Sequence, residues 1–257
     1  MSKLRLAGTT VLMALAVAAV AVAQDAVTNT YDVDGSTTPR AKGSKRKPVP
    51  IGITFAFTVG EVQNRRPATI KRYSIRFGGT QVNTAVAPAC SKATLDAGGP
   101  DTCPRGAVLG GGFVENVAGA RDNPNDQSIP CNASVTLVNA GGRAANLYFA
   151  GSPNSSNPRT RCAIELAATI PARYVQRGSE TALEFEVPDS LLHPLNTLSN
   201  AVKRASARVP RKTKRIRGRK RGYFEAIGGC TRGSRTITVV FTPEQGENAT
   251  AQSKARC

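Results

Sequence analysis

Two groups of residues in this sequence have the types and spacing for chemistry. The first is RKTKRIRGRKRGYF at 211–224, which places Arg211, Lys212, Lys214, Arg215, Arg217, Arg219, Lys220 and Arg221 in one short run. Closely spaced guanidinium and ammonium groups neutralise the phosphates or carboxylates of an anionic polymer and release its counterions, giving affinity without reading a base sequence. Tyr223 and Phe224 follow directly, and strand alternation leaves one of them outside as a stacking surface. The second group is acidic. Glu184 and Glu186 are two residues apart and so share the outward face of a strand, with Glu165 outward on another, which is the raw material of a two-carboxylate hydrolase. An ordinary solvated face is the commoner fate of such carboxylates.

Other candidate chemistry is thinner. His193 is the only histidine and sits in SLLHPL as a loop residue, without the adjacent nucleophile and orienting partner that base catalysis needs. RDNPNDQS at 121–128 has acids and amides suited to calcium, but Pro124 stands where a ligand is wanted and the glycine of an EF-hand loop is missing. GAVLGGGF at 106–113 lacks the Lys-Ser/Thr of a phosphate loop and the spacing of a dinucleotide fingerprint, so its glycines fit a bulge or close sheet packing. There is no Cys-x-x-Cys or Cys/His cluster to hold zinc. Neither metal nor cofactor is implied, and the chain reads as non-enzymatic.

The elements that must position these residues begin with a leader. MSKLRLAGTTVLMALAVAAVAVAQ has Lys3 and Arg5, an apolar stretch from Val11 to Ala23, and Ala21-Val22-Ala23 as a cleavage pattern. Residues 1–23 therefore read as a secretory signal peptide, too short in its apolar part to span a bilayer, and the mature chain has no transmembrane anchor. A secreted location makes disulfides the default for Cys90, Cys103, Cys131, Cys162, Cys230 and Cys257. Six cysteines allow many connectivities. Sequential pairing, Cys90–Cys103, Cys131–Cys162 and Cys230–Cys257, is preferred because each pair brackets a turn-rich or hairpin-like segment. Each loop so closed contributes about 3 kcal/mol.

Without the leader, 33 bases face 17 acids; the runs at 40–47 and 203–221 hold sixteen of those bases and no acid, so the body is formally neutral. The charge speaks to partners and not to fold.

Period-two alternation organises the body. Val49, Ile51, Ile53, Phe55, Phe57 and Val59 alternate with small or polar residues, and the pattern recurs at Tyr73–Phe77, Cys131–Leu137, Cys162–Ile170, Leu183–Val187, Ala205–Val209 and Ile237–Phe241. NAGGR at 139–143 is a hairpin turn into ANLYFA. About ten alternating strands predict one antiparallel β-sandwich over 49–257, with a basic hairpin loop or ribbon at 210–221. Residues 24–48 read as a flexible basic lead-in, too polar to order themselves.

In this order, a basic run, PVPIGITFAF, IKRYSIRF, VAPACSKATLDAGGPDTCPRGAVLGGG, a Cys-bounded hairpin, a basic loop and GYFEAIGGC, the chain resembles a group of secreted β-sandwich proteins of high-GC Gram-positive bacteria. The likeness covers most of the mature chain and is strongest from Cys90 to Gly112. It implies an immunoglobulin-like architecture and carries no catalytic residue. The expectation is an extracellular, non-enzymatic protein with a structural or interaction role, its basic loops meeting acidic protein surfaces such as Glu165, Glu184 and Glu186 of a neighbour. The alternative is an electrostatic binding module for an extracellular anionic polymer through 203–221, with no sequence-specific nucleic acid. A hydrolase using the exposed carboxylates is the third reading.

Overall fold

The structure, a computed structural model, describes residues 27–257; the expected signal peptide lies outside the described residues. Its first strand stands where none was expected. β1 (Asn29–Thr38) pairs antiparallel with β2 (Val49–Glu61) along its whole length, from Asn29 opposite Glu61 to Thr38 opposite Gly52. The flexible lead-in expected at 24–48 is therefore corrected from Asn29 onward. Its polar composition hides a period of two: Tyr31 stacks on Phe241 with ring centroids 4.4 Å apart, Val33 is buried, and Gly35 lies against Ile237. The ladder with β2 satisfies the backbone of a segment too polar to order itself alone.

The remaining elements largely follow the alternation. β3 (Ile70–Gly78) and the short β4 (Thr80–Val82) lead to α1 (Lys92–Gly98), a short helix outside the period-two pattern; the Ser91 side chain caps it by accepting from the Thr94 N–H. β5 (Val108–Ala120) and the short β6 (Ile129–Pro130) precede the hairpin of β7 (Ala133–Gly141) and β8 (Ala144–Gly151), turned at NAGGR. β9 (Leu166–Arg177) and β10 (Glu180–Glu186) form a second hairpin, and α2 (Asp189–Leu192) precedes β11 (Leu198–Val209). β12 (Thr213–Ile216) and β13 (Arg219–Gly222) make a separate two-stranded ribbon. β14 (Phe224–Ala226), β15 (Ser234–Pro243) and β16 (Ala249–Arg256) complete the chain.

The fold is all-β and antiparallel, as the alternation predicts. One hydrogen-bonded path runs β16-β15-β3-β10-β9-β8-β7-β5-β11-β2, with β1 on β2, and β1 packs beside β16. The two edges of the sheet thus meet, which protects them from pairing with other chains. Close approach within the sheet explains the glycines of GAVLGGGF: a methyl on Gly112 would lie 1.7 Å from the Ser206 carbonyl oxygen.

The rolled sheet is flattened where β2 faces β3 and β15. Phe57 lies 5.6 Å from Tyr73 and 5.4 Å from Phe241 between ring centroids, and Phe55 lies 6.0 Å from Phe77. Toward β5, β7 and β8 the inner walls stand apart, and Phe55, Phe57, Tyr73 and Phe77 border a cavity of about 360 Å³. Three disulfides staple the loops in the expected sequential order: Cys90–Cys103, Cys131–Cys162 and Cys230–Cys257. The apolar period expected from Cys162 becomes strand only at Leu166, because Cys162 is bonded to Cys131 and Ile164 faces outward.

Because β1 is packed and paired, Val33→Ala should lower unfolding free energy by about 2 kcal/mol in urea titration. An unchanged midpoint would return this segment to the role of a dispensable lead-in.

Candidate functional site: a basic end of the rolled sheet

Val209 ends β11 and Pro210, which cannot donate to a ladder, releases the chain from the sheet. β12 and β13 then fold back on each other through Arg217 and Gly218, both with positive φ (49° and 75°), the two-residue turn that suits the twist of a hairpin. The expected ribbon at 210–221 is therefore present. Its register sets Lys214 opposite Arg221 and Arg215 opposite Lys220. Like charges directly opposite one another destabilise a ladder, and a two-stranded ribbon is marginal by itself.

The foot of the ribbon supplies what the ladder lacks. The Glu225 side chain is 0 % exposed and accepts four hydrogen bonds: from Arg221 Nε (2.9 Å) and Nη2 (2.8 Å), from the Gly222 N–H (2.8 Å) and from Gln81 Nε2 (2.7 Å). Burial pushes the Glu225 carboxyl up, but the bonds from Arg221, Gly222 and Gln81 outweigh it and hold the group below the usual carboxylate range. Just before β12, Lys212 donates to the Val108 carbonyl and to that of Gly106 (3.4 Å), and burial lowers the pKa of its ammonium. Two of the eight bases expected to meet a polymer, Lys212 and Arg221, thus also anchor the ribbon. Arg211, Lys214, Arg215, Arg217, Arg219 and Lys220 are exposed. The expected stacking ring is also corrected: Tyr223 and Phe224 are both buried, because the chain bends between β13 and β14 and turns both rings into the core. Tyr223 donates to Asn139 Oδ1 (3.1 Å), and Phe224 meets the Tyr174 ring edge-on.

The second basic run comes to the same place. Gly43 bridges to Ile227, the Lys42 carbonyl accepts from the Gly228 N–H (3.1 Å), and buried Arg235 donates to the carbonyls of Ala41 (2.5 Å) and Gly79 (3.1 Å). Gly222, at the foot of the ribbon, lies against Pro50, three residues after Lys47. Residues 40–47 and the ribbon therefore flank β14 at one end of the roll. A polar cavity of about 300 Å³ opens there, with Lys45, Arg143, Gln81 and Gln176 in its lining.

The acidic candidates are arranged differently. Glu184 pairs with Arg173 (3.1 Å) and Arg177 (2.8 Å), Glu186 with Arg72 (3.0 Å) and Lys71 (3.9 Å), and Glu165 accepts from Ser152 (2.6 Å). No carboxylate lines either cavity. In the 121–128 loop Asp126 accepts from the backbone N–H groups of Ala120 and Ser128, closing the loop over Arg66. Among the described residues no group of three His, Cys, Asp or Glu side chains could hold a metal ion.

His193 does have partners, which its neighbours in sequence did not foretell. Its Nε2 lies 2.9 Å from both carboxylate oxygens of Glu244, while Nδ1 is 3.2 Å from the Leu198 carbonyl and 3.4 Å from the Ser199 hydroxyl. Nδ1 is nearer the carbonyl than the hydroxyl, and Ser199 is buried on β11, so the ring ties the α2 segment to the end of β15.

No family model, curated protein or solved structure matches this chain. Among the described residues no helix is long and apolar enough to cross a membrane.

The division between anchors and free bases gives a direct contrast. Arg221→Ala leaves a buried carboxylate without its cation and should cost roughly 2–4 kcal/mol in urea unfolding. Replacing Lys214, Arg215, Arg217, Arg219 and Lys220 by Ser should cost within about 0.5 kcal/mol each. Any single one of these Ser replacements costing as much as Arg221→Ala would contradict the assignment.

Proposed function

We propose that this chain is a secreted, non-enzymatic binding protein that engages an anionic polymer outside the cell through its basic end. The reading rests chiefly on one observation: the runs at 40–47 and 211–221 adjoin the two ends of β14, at Ile227 and at Gly222, with like charges opposed across a ribbon fastened at its foot. Bases held this close repel one another in the free protein, and a chain of phosphates or carboxylates relieves that repulsion while releasing its own counterions. Three disulfides support an extracellular setting, where such bonds persist. The immunoglobulin-like relationship belongs to the same reading.

The rival structural reading needs an acidic surface to receive the basic loops. Of the carboxylates offered for that role, Glu184 and Glu186 already pair with arginines and a lysine of their own chain, and Glu165 accepts from the Ser152 hydroxyl (2.6 Å). Polymer binding therefore accounts for more of the charge arrangement than self-assembly does. Buried Tyr223 and Phe224 offer no base-stacking surface, which supports recognition by charge alone.

Retention on double-stranded DNA and on polyphosphate, measured across sodium chloride concentrations, checks this proposal. On DNA the log–log salt slope should be several units, at about 0.9 per phosphate engaged, and the five-residue Ser variant should flatten it by several units. An equal slope for wild type and variant would reduce the ribbon to a solubilising feature.

A further inference from the structure

The roll has a second feature that the basic end does not use. Native interiors are packed with few voids larger than a water molecule. Here a cavity of about 360 Å³ lies between the inner walls, within the size range of small-molecule sites. Phe55, Phe57, Ile75, Phe77, Leu137 and Leu147 line it and keep 5–7 % exposure, whereas Ile237, Val239 and Phe241, in the flattened half, are at 0 %. The lining side chains border open space, while those of the other half pack against each other.

Its mouth is marked by two lips. Ile164 and Leu195 both line the cavity and are 53 % and 62 % exposed, two of the three large hydrophobic side chains so exposed among the described residues. Both lips are tethered. The Ile164 loop is held by Cys131–Cys162, and the Leu195 loop by His193 on Glu244 and by Asn200 Nδ2 donating to the Leu191 carbonyl (3.0 Å). The mouth therefore exists without rearrangement. It sits where β11 begins, at Leu198, while the basic ribbon leaves where β11 ends, at Val209.

The polar atoms in the wall specify more. Asn116 lies opposite Val202 and Asn200 opposite Ala118, so the two asparagines are diagonal neighbours on the inward face of β5 and β11, near the mouth. Their Oδ1 atoms are buried and have no hydrogen-bond partner, and the Nδ2 bond of Asn200 fixes which way its amide points. The hydroxyl of Tyr73, a residue only 2 % exposed in the same lining, also lacks a partner. Buried acceptors left unpaired call for a donor.

We infer that the cavity is a binding site for a single long-chain aliphatic alcohol, free or as the alcohol end of a lipid. The chain would lie among the core side chains of the roll, and its hydroxyl would donate to Asn116 or Asn200. An ionised carboxylate has no proton to give these acceptors, and among the described residues no lysine, arginine or histidine lines the cavity to balance its charge, so it is disfavoured.

Fluorescence titration of the full secreted protein with N-phenylnaphthylamine, followed by competition, tests the inference. Binding should be saturable and one-to-one, and dodecanol should displace the probe at about tenfold lower concentration than dodecanoate, the factor expected from one hydrogen bond. Ala205→Phe, which fills the cavity from β11, should abolish binding; Leu195→Lys, at an exposed lip, should weaken it with the fold intact. The Ser variant of the ribbon should bind the probe as wild type does, so this site stands or falls apart from the basic end. Absence of saturable binding, or a folded Ala205→Phe protein that binds unchanged, would overturn the site. Should Ala205→Phe fail to fold, unchanged binding by Leu195→Lys would overturn it instead. Equal displacement by dodecanoate would overturn the donor recognition.

Discussion

The buried carboxylate of Glu225 is the constraint on which the basic end depends. A charge taken out of water is costly unless paired and hydrogen-bonded. Glu225 achieves this with two bonds from Arg221, one from the Gly222 N–H and one from Gln81. Those partners come from β13 and β4, and Glu225 itself sits on β14, hydrogen-bonded to β2 and β4. One carboxylate therefore ties the self-repelling ribbon to the sheet. It also makes Arg221 a structural residue, although nothing in a run of eight bases distinguishes it by type.

The rest of the molecule follows from the rolling of one long sheet. Its edges meet at β1 and β16, so no long strand edge is left bare. The roll is packed shut around Ile237, Val239 and Phe241, and Phe57 and Tyr73, which touch Phe241 on one side, border the cavity on the other. β5 and β11 run the length of this architecture, bringing the asparagines to one end and the basic ribbon to the other. The cavity runs between these ends, from Leu195 and Leu198 at its mouth to Val209 and Phe224 beside the foot of the ribbon.

Much of this was legible in the sequence because a strand with one buried face writes a period of two directly into the chain. The stretch from Val49 to Val59 is the plainest case, and the ribbon followed from Pro210, Gly218 and the strands on either side. β1 was not legible by hydrophobicity, since Asp32, Asp34, Ser36 and Thr38 dilute the few apolar residues and the pairing partner lies across a turn. Glu225 did leave a signal, as the only acid between Asp189 and Glu244, four residues after Arg221. The pairing of His193 with Glu244 left none, because the two are 51 residues apart and only the fold joins them. The cavity was illegible for a related reason: inward-facing residues predict a core, and whether opposite walls touch depends on how the sheet rolls.

Amide hydrogen exchange on wild type and Glu225→Gln addresses the central claim most directly. If the buried carboxylate fastens the ribbon, the amides that bond across it, those of the pairs Ile216–Arg219 and Lys214–Arg221, are protected in the wild type. The substitution should then bring them close to the rate of an unstructured peptide, while the amides of β3 and β15 stay protected. Ribbon amides that keep their protection in Glu225→Gln would contradict the account, as would ribbon amides that are unprotected in both proteins.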